Sequence, residues 1–205
     1  MELPANARRA EDLAIADQCR LNVLWLNGCA CCQRVLEIEV ADLSLGAALQ
    51  SLYGRVERCG GLNTDEGSSP FAGASFDLVT LYGRTPERGE LTAMRRLLRP
   101  GGAAVFAAQN RWWYGRRRTA SRAASTMSLR DAGRILDAGF SDVRTYWVEP
   151  SLAIPRNLIP ATADRVRDFE ELQAQDSERS PNRSLALAAG IRWALYPAVL
   201  FVATV

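Results

Sequence analysis

Residues 70–109 read PFAGASFDLVTLYGRTPERGELTAMRRLLRPGGAAVFAAQ. Within this stretch FDLVTLY (76–82) is a short, almost wholly apolar run behind small, turn-forming residues. That is the pattern of a strand covered on both faces. TPERGELTAMRRLL (85–98) follows, with Thr85 placed to cap, Pro86 at the first turn and early acids, which predicts a helix. RPGG (99–102) stops it, and AAVFAAQ (103–109) is a second buried strand.

The same alternation extends in both directions. RVLEIEV (34–40) is a strand, LSLGAALQSLY (43–53) a crossover helix, RVERC (55–59) a short strand and GGLNTDEGSSP (60–70) a loop. Toward the C-terminus, SLRDAGRILDAGF (128–140) predicts a helix with a Ser cap and a closing Gly. DVRTYWV (142–148) alternates like a strand, NRSLALAAGIRWAL (182–195) is a helix and AVLFVATV (198–205) a last apolar strand. Ala10, Leu13, Ala14 and Ala16 give residues 8–20 an amphipathic helical spacing. No repeat is present. Strands alternating with helices imply an α/β domain with a parallel-rich sheet and helices on both faces. The domain is expected over 31–205, after an N-terminal helical extension (1–30), with 149–181 as a Pro-rich and then charged lid or insertion.

Composition narrows the chemistry. The chain has 205 residues, 48% of them hydrophobic, enough for one cored domain. A net charge of +2 gives no argument for nucleic acid. All 25 basic residues are arginine and there is no histidine, which excludes lysine Schiff-base chemistry and the commonest general base and metal ligand. Five cysteines, an odd number, point to free thiols and a cytoplasmic setting. Cys29, Cys31 and Cys32 are too crowded for a zinc site, so no metal is expected. No apolar run reaches the length of a membrane span.

In this order the motifs resemble the class I S-adenosylmethionine-dependent methyltransferases. AGASFDLV matches that family's small-residue turn and fourth strand. LLRPGG and AAVFAAQ match the turn and fifth strand, LRDAGRILDAGFSDVRTY the later helix and sixth strand, and YPAVLFVATV the antiparallel seventh strand. The resemblance covers roughly residues 30–205. It implies a Rossmann-like three-layer sandwich with a mostly parallel sheet of about six strands, an antiparallel last strand and one edge strand lost. The loss follows from length, since only one strand fits between VLEI and FDLV.

The resemblance also implies S-adenosylmethionine as cofactor, and the sequence departs from the family where that cofactor binds. Glu37, closing the first strand, matches the family acid. The three glycines that follow it in the family, needed so that the loop turns tightly and the ligand lies on bare backbone, are here Glu39, Ala41 and Leu43. The acid that holds the ribose falls near Gly60, with Glu57 and Asp65 as nearby substitutes. The loop of the missing strand, which carries the family's acid near the adenine, is gone with it.

After the second buried strand comes NRWWYGRRRTASR (110–122), at the sheet edge where doubly wound folds bind ligands. Asn110, Arg111, Trp112, Trp113, Tyr114 and Arg116 are the candidate substrate or partner residues. Arginine forks suit phosphate or carboxylate, and aromatics suit a flat ring. The same residues also fit a solvated loop with one Trp packed inside. WVEPSLAIPRNLIPATADR (147–165) reads as an acceptor-site roof or an extended linker.

Two functions compete. In one, the chain is a methyltransferase-like protein with a degenerate cofactor site, serving as a non-catalytic partner subunit or a repurposed binding domain. Its partner would be an intact methyltransferase or a second copy. In the other, it is a divergent methyltransferase acting on a small molecule or peptide, since methyl transfer can rest on orientation and proximity alone.

Overall fold

The structure is a computed structural model. It describes residues 18–24, 34–38, 45–62, 71, 73–113, 126–176 and 194–205, with side chains described as far as residue 172 in the last helix. Helical residues 18–24 (α1) lead into β1 (Val35–Ile38), α2 (Gly46–Leu52), β2 (Val56–Cys59), β3 (Phe76–Tyr82), α3 (Arg88–Leu97) and β4 (Leu98–Asn110). Then follow β5 (Thr126–Met127), α4 (Asp131–Asp137), β6 (Asp142–Pro150), β7 (Pro155–Pro160), α5 (Ala163–Asp176) and β8 (Ala198–Thr204).

The strands form one sheet of eight, in the order β2-β1-β3-β4-β8-β6-β7, with β5 paired to β4. β2, β1, β3 and β4 run parallel, and β8 enters antiparallel between β4 and β6. The expected mostly parallel α/β sheet with an antiparallel last strand is therefore what the chain adopts. The count rises from about six to eight for two local reasons. β5 is a two-residue strand at the end of the Trp/Arg loop. β7 lies in the Pro-rich segment and folds back antiparallel on β6. Its prolines sit at the ends of this strand, at the margin of the sheet, where a missing N–H breaks no inner ladder. Part of the segment read as lid or insertion thus joins the sheet, and α5 follows it. On the opposite margin β2 is the outermost strand among the described residues.

β3 is buried along its whole length, as a strand with two covered faces must be. On one face Val79, Leu81, Ala104, Phe106 and Phe201 pack with Leu91, Met94 and Leu97 of α3 and Ile135 of α4. On the other, Leu78, Val105, Leu200 and Val202 pack with Val23 and Leu24 of α1 and Ala48 and Leu49 of α2. Two helical layers therefore sandwich the sheet. Among the described residues no helix is long and apolar enough to cross a membrane.

Helix α3 starts later than its Thr-Pro signal suggests. Glu87, extended at ψ 162°, is the cap, in a reciprocal capping box with Glu90. RPGG (99–102), read from sequence as a turn, instead lies within β4, in the stretch where the pairing with β3 shifts register, and Gly102 is placed there by contact. A Cβ there would stand 2.9 Å from the Arg99 carbonyl oxygen and 3.2 Å from that of Asp77. Gly54 has nothing within 4 Å of the equivalent position. Gly102→Ala is therefore expected to destabilise the fold by about 1–3 kcal/mol, whereas Gly54→Ala changes stability by less than about 1 kcal/mol. Urea unfolding of the two variants beside the parent chain measures the difference.

Candidate functional site

The carboxyl ends of β1, β2, β3 and β4 define the edge where an α/β sheet receives ligands. The chain builds two distinct arrangements there.

The first surrounds Glu37. Its side chain is only 2% exposed. Oε1 accepts hydrogen bonds from the backbone N–H of Leu45 at 2.7 Å and of Gly46 at 3.1 Å. Leu45, the residue at the cap of α2, offers no side-chain cap of its own, so the strand carboxylate takes that role from outside the helix. Oε2 has Arg58 Nε at 3.2 Å as an ion pair without hydrogen-bond alignment. The register explains the pairing, because Glu37 stands opposite Arg58 on β2. Beyond Arg58 the strand ends in Cys59 and Gly60, and no acid stands at that end.

Glu57 lies one residue earlier on β2 and is tied to Arg34 at 2.7 Å and Arg55 at 3.2 Å. The hydrogen bond from Arg34, with the charges of both arginines, holds the Glu57 carboxyl below its ordinary range against a smaller opposing effect of burial. Arg34 precedes β1, so the structure does not bring Glu57 together with Glu37. Asp77, at the start of β3, accepts from the Arg34 N–H at 2.8 Å and ion-pairs with Arg99. Glu39, Ala41, Leu43, Asp65, Tyr114 and Arg116 lie outside the described residues, as do Cys29, Cys31 and Cys32.

At the end of β3, Arg84 forks onto Glu90, with contacts of 2.7 and 2.5 Å. Burial pushes the Glu90 carboxyl up, but the Arg84 fork, the Glu87 N–H and the Arg84 charge together hold it below its ordinary 4.5. A depressed carboxylate contributes stability above its unfolded value, lost as pH falls through its folded value. Arg84→Gln should therefore unfold at lower urea than the parent at pH 7. The gap should narrow as pH falls below 4.5 and close once pH has passed through the lower folded value of Glu90, where the carboxyl is protonated in the parent as well. Urea midpoints across pH check this, and a gap that stays constant counts against the assignment.

The second arrangement follows β4. Asn110 is buried, and its Nδ2 donates to the Tyr196 carbonyl at 2.8 Å while its Oδ1 accepts from the Trp112 N–H at 3.1 Å. Its backbone N–H donates to the Pro197 carbonyl at 2.8 Å. These bonds fix the turn that presents Arg111, Trp112 and Trp113. Trp112 is 52% exposed. Opposite it Trp147 of β6 is buried and stacks on Tyr196, with ring centroids 5.5 Å apart and planes at 17°. The Tyr196 hydroxyl donates to buried Glu170 of α5 at 2.6 Å. Among the described residues Trp112, Trp147, Ser128, Leu129 and Arg130 line an open, mainly apolar hollow of about 370 Å³.

Of the residues singled out in sequence, this cavity uses Trp112. Asn110 positions its turn rather than facing a ligand. Trp147, Leu129, Arg130, Tyr196 and Glu170 were not anticipated as neighbours. Trp147 read both as a strand residue and as the first residue of the segment taken for an acceptor-site roof or linker, and the β6–β8 register carries it beside the end of β4.

With strand order and both arrangements in view, comparison with solved structures is decisive for the architecture. A Thermotoga maritima S-adenosylmethionine-dependent methyltransferase, described as a candidate histamine N-methyltransferase, superposes with a TM-score of 0.54. The match has 11% identity over 97% of this chain and 94% of that one. The chain has the class I methyltransferase fold. A second match, with a TM-score of 0.52, is a chain of the complex between the Haloferax volcanii Trm112 methyltransferase activator and a candidate methyltransferase. It has 17% identity over 97% of this chain and 95% of that one. At these identities the likeness concerns the methyltransferase fold alone. No family model and no curated protein matches the sequence.

Proposed function

We propose that this methyltransferase-like chain has a degenerate S-adenosylmethionine site and works as a non-catalytic partner subunit or binding domain. The observation that carries the reading is the internal use of Glu37. The carboxylate at the family's cofactor-facing position bonds two N–H groups at the start of α2 and pairs with Arg58. A cofactor contact at Oε1 must compete with the two N–H groups, and one at Oε2 must share the carboxylate with the Arg58 charge. The sequence supports the same reading, with Glu39, Ala41 and Leu43 at the glycine positions and no acid at the end of β2. These residues fit an adenosyl cofactor poorly. A protein partner has a precedent in the Haloferax volcanii complex, where the matched fold meets an activator.

The second reading, a divergent S-adenosylmethionine-dependent methyltransferase, draws on the cavity beside Trp112, which offers room for an acceptor. Calorimetric titration of the purified chain with S-adenosylmethionine and S-adenosylhomocysteine separates the two. The expected outcome is no saturable binding of either up to about 1 mM. Micromolar binding of either compound rejects the non-catalytic reading in favour of the enzyme.

A further inference from the structure

We propose that the amino edge of the sheet, over β2, β1, β3 and β4, is a docking surface for an acidic segment of a partner protein. It goes beyond the partner-subunit reading, uses no residue of the ligand-receiving edge and stands whether or not S-adenosylmethionine binds. These four strands run parallel, so their amino ends lie together, opposite the edge that holds Glu37 and Trp112. Arg55 precedes β2, Arg34 precedes β1 and Arg99 is the second residue of β4. Helix α3 runs from the carboxyl end of β3 back to the start of β4, which brings Arg95 and Arg96 of its last turn to the same edge. The Ala74 N–H donates to the Arg96 carbonyl at 2.8 Å and fixes that turn beside the start of β3.

The charges of this edge are layered, with the acids inside and the guanidinium groups outside. The side chains of Glu57 and Asp77 are 22% and 4% exposed, those of Arg55 and Arg99 68% and 50%. Glu57 joins Arg34 at 2.7 Å to Arg55 at 3.2 Å, and Asp77 joins the Arg34 N–H at 2.8 Å to Arg99. The three arginines are thereby linked in one row. Arg34 also lies over the Phe76 ring, 4.5 Å from its centroid, and Arg95 is anchored through Nε to the Gly139 carbonyl at 2.7 Å. Arg96 is exposed and makes no ion pair among the described residues. A guanidinium has more N–H groups than one contact uses, so the anchored arginines keep donors for a second anion. The exposed acids nearby, Asp137 and Asp142, lie toward β6 and leave this half of the edge with an excess of positive charge. The carboxyl end of α3 accounts for Arg95 and Arg96, but Arg55 and Arg99 stand outside any helix. Arginines already held by inner carboxylates lose little freedom when an outer carboxylate docks, and their planar forks suit it. Phe76 is buried and Phe71 packs edge-on against it at 5.4 Å, so among the described residues this edge presents no open ring for a base to stack on. That favours a protein carboxylate over a nucleic acid.

Fluorescence anisotropy of a labelled polyglutamate peptide of about ten residues, titrated with the full chain at about 50 mM salt, tests this. Saturable binding with Kd at or below about 0.1 mM is expected. Arg55→Glu and Arg96→Glu should each weaken it about fivefold or more. Arg88→Glu makes the same change of charge at the start of α3, on the opposite edge, and should alter the Kd by less than about twofold. All three positions are exposed, and thermal unfolding of each variant confirms that the fold is kept. Absence of saturable binding overturns the proposal. Equal weakening by Arg88→Glu overturns it too, because the effect is then one of net charge. Tighter binding of a single-stranded oligonucleotide of equal length overturns it in favour of nucleic acid.

Discussion

The main-chain hydrogen bonding of β4 is the constraint on which the rest of the molecule depends. From Ala103 to Ala108 this strand is covered on both faces. Its N–H and C=O groups have no access to water and must pair sideways. They do so parallel to β3 and antiparallel to β8. This double ladder brings the last strand of the chain into the middle of the sheet. It also sets the level at which Trp147 of β6 and Tyr196 before β8 meet the end of β4. Where the ladder ends, Asn110 replaces strand pairing with side-chain bonds, and the aromatic cleft begins.

The two ends of the ligand-receiving edge have taken different physical courses. Around Glu37, one carboxylate oxygen is hydrogen-bonded and the other is ion-paired without a hydrogen bond. The carboxylate caps a helix whose own cap residue lacks a side-chain acceptor, and a cross-strand arginine offsets its burial. Around Trp112, polar groups are used behind the surface, in Asn110, Glu170 and Asp131, and an apolar hollow is left in front. A ligand at Oε1 must displace the N–H groups at the start of α2, and one at Oε2 must share the carboxylate with Arg58. A hydrogen-bonded scaffold under an apolar surface holds the lining of the hollow in place.

Much of the fold was legible from local pattern. The apolar runs 76–82 and 103–109 were legible as doubly covered strands, whereas RPGG, read as a turn, is drawn into β4 at a register shift against β3. Less legible was the segment 149–181, where Pro150, Pro155 and Pro160 argue against a strand in any one-dimensional reading. The structure places Pro155 and Pro160 at the ends of marginal β7 and Pro150 at the very end of β6, so their missing N–H groups interrupt no inner part of the ladder. The cap of α3 was misread for a related reason. Thr85 and Glu87 are both competent acceptors by type, and the partner at Glu90 decides between them.

For the site, the sequence by itself determined which chemistry is excluded and where bulk stands in place of glycine. It marked Glu37 as the acid of the first strand and Trp112 as an aromatic at the sheet edge, because residue type and position after a strand are local properties. Only the tertiary structure decided what those side chains do. Glu37 meets Arg58 through a parallel register, and Trp112 faces Trp147 through an antiparallel strand entering from the end of the chain. Such pairings join residues far apart in sequence, and their choice rests on which ladder buries the most apolar surface without leaving a main-chain group unpaired.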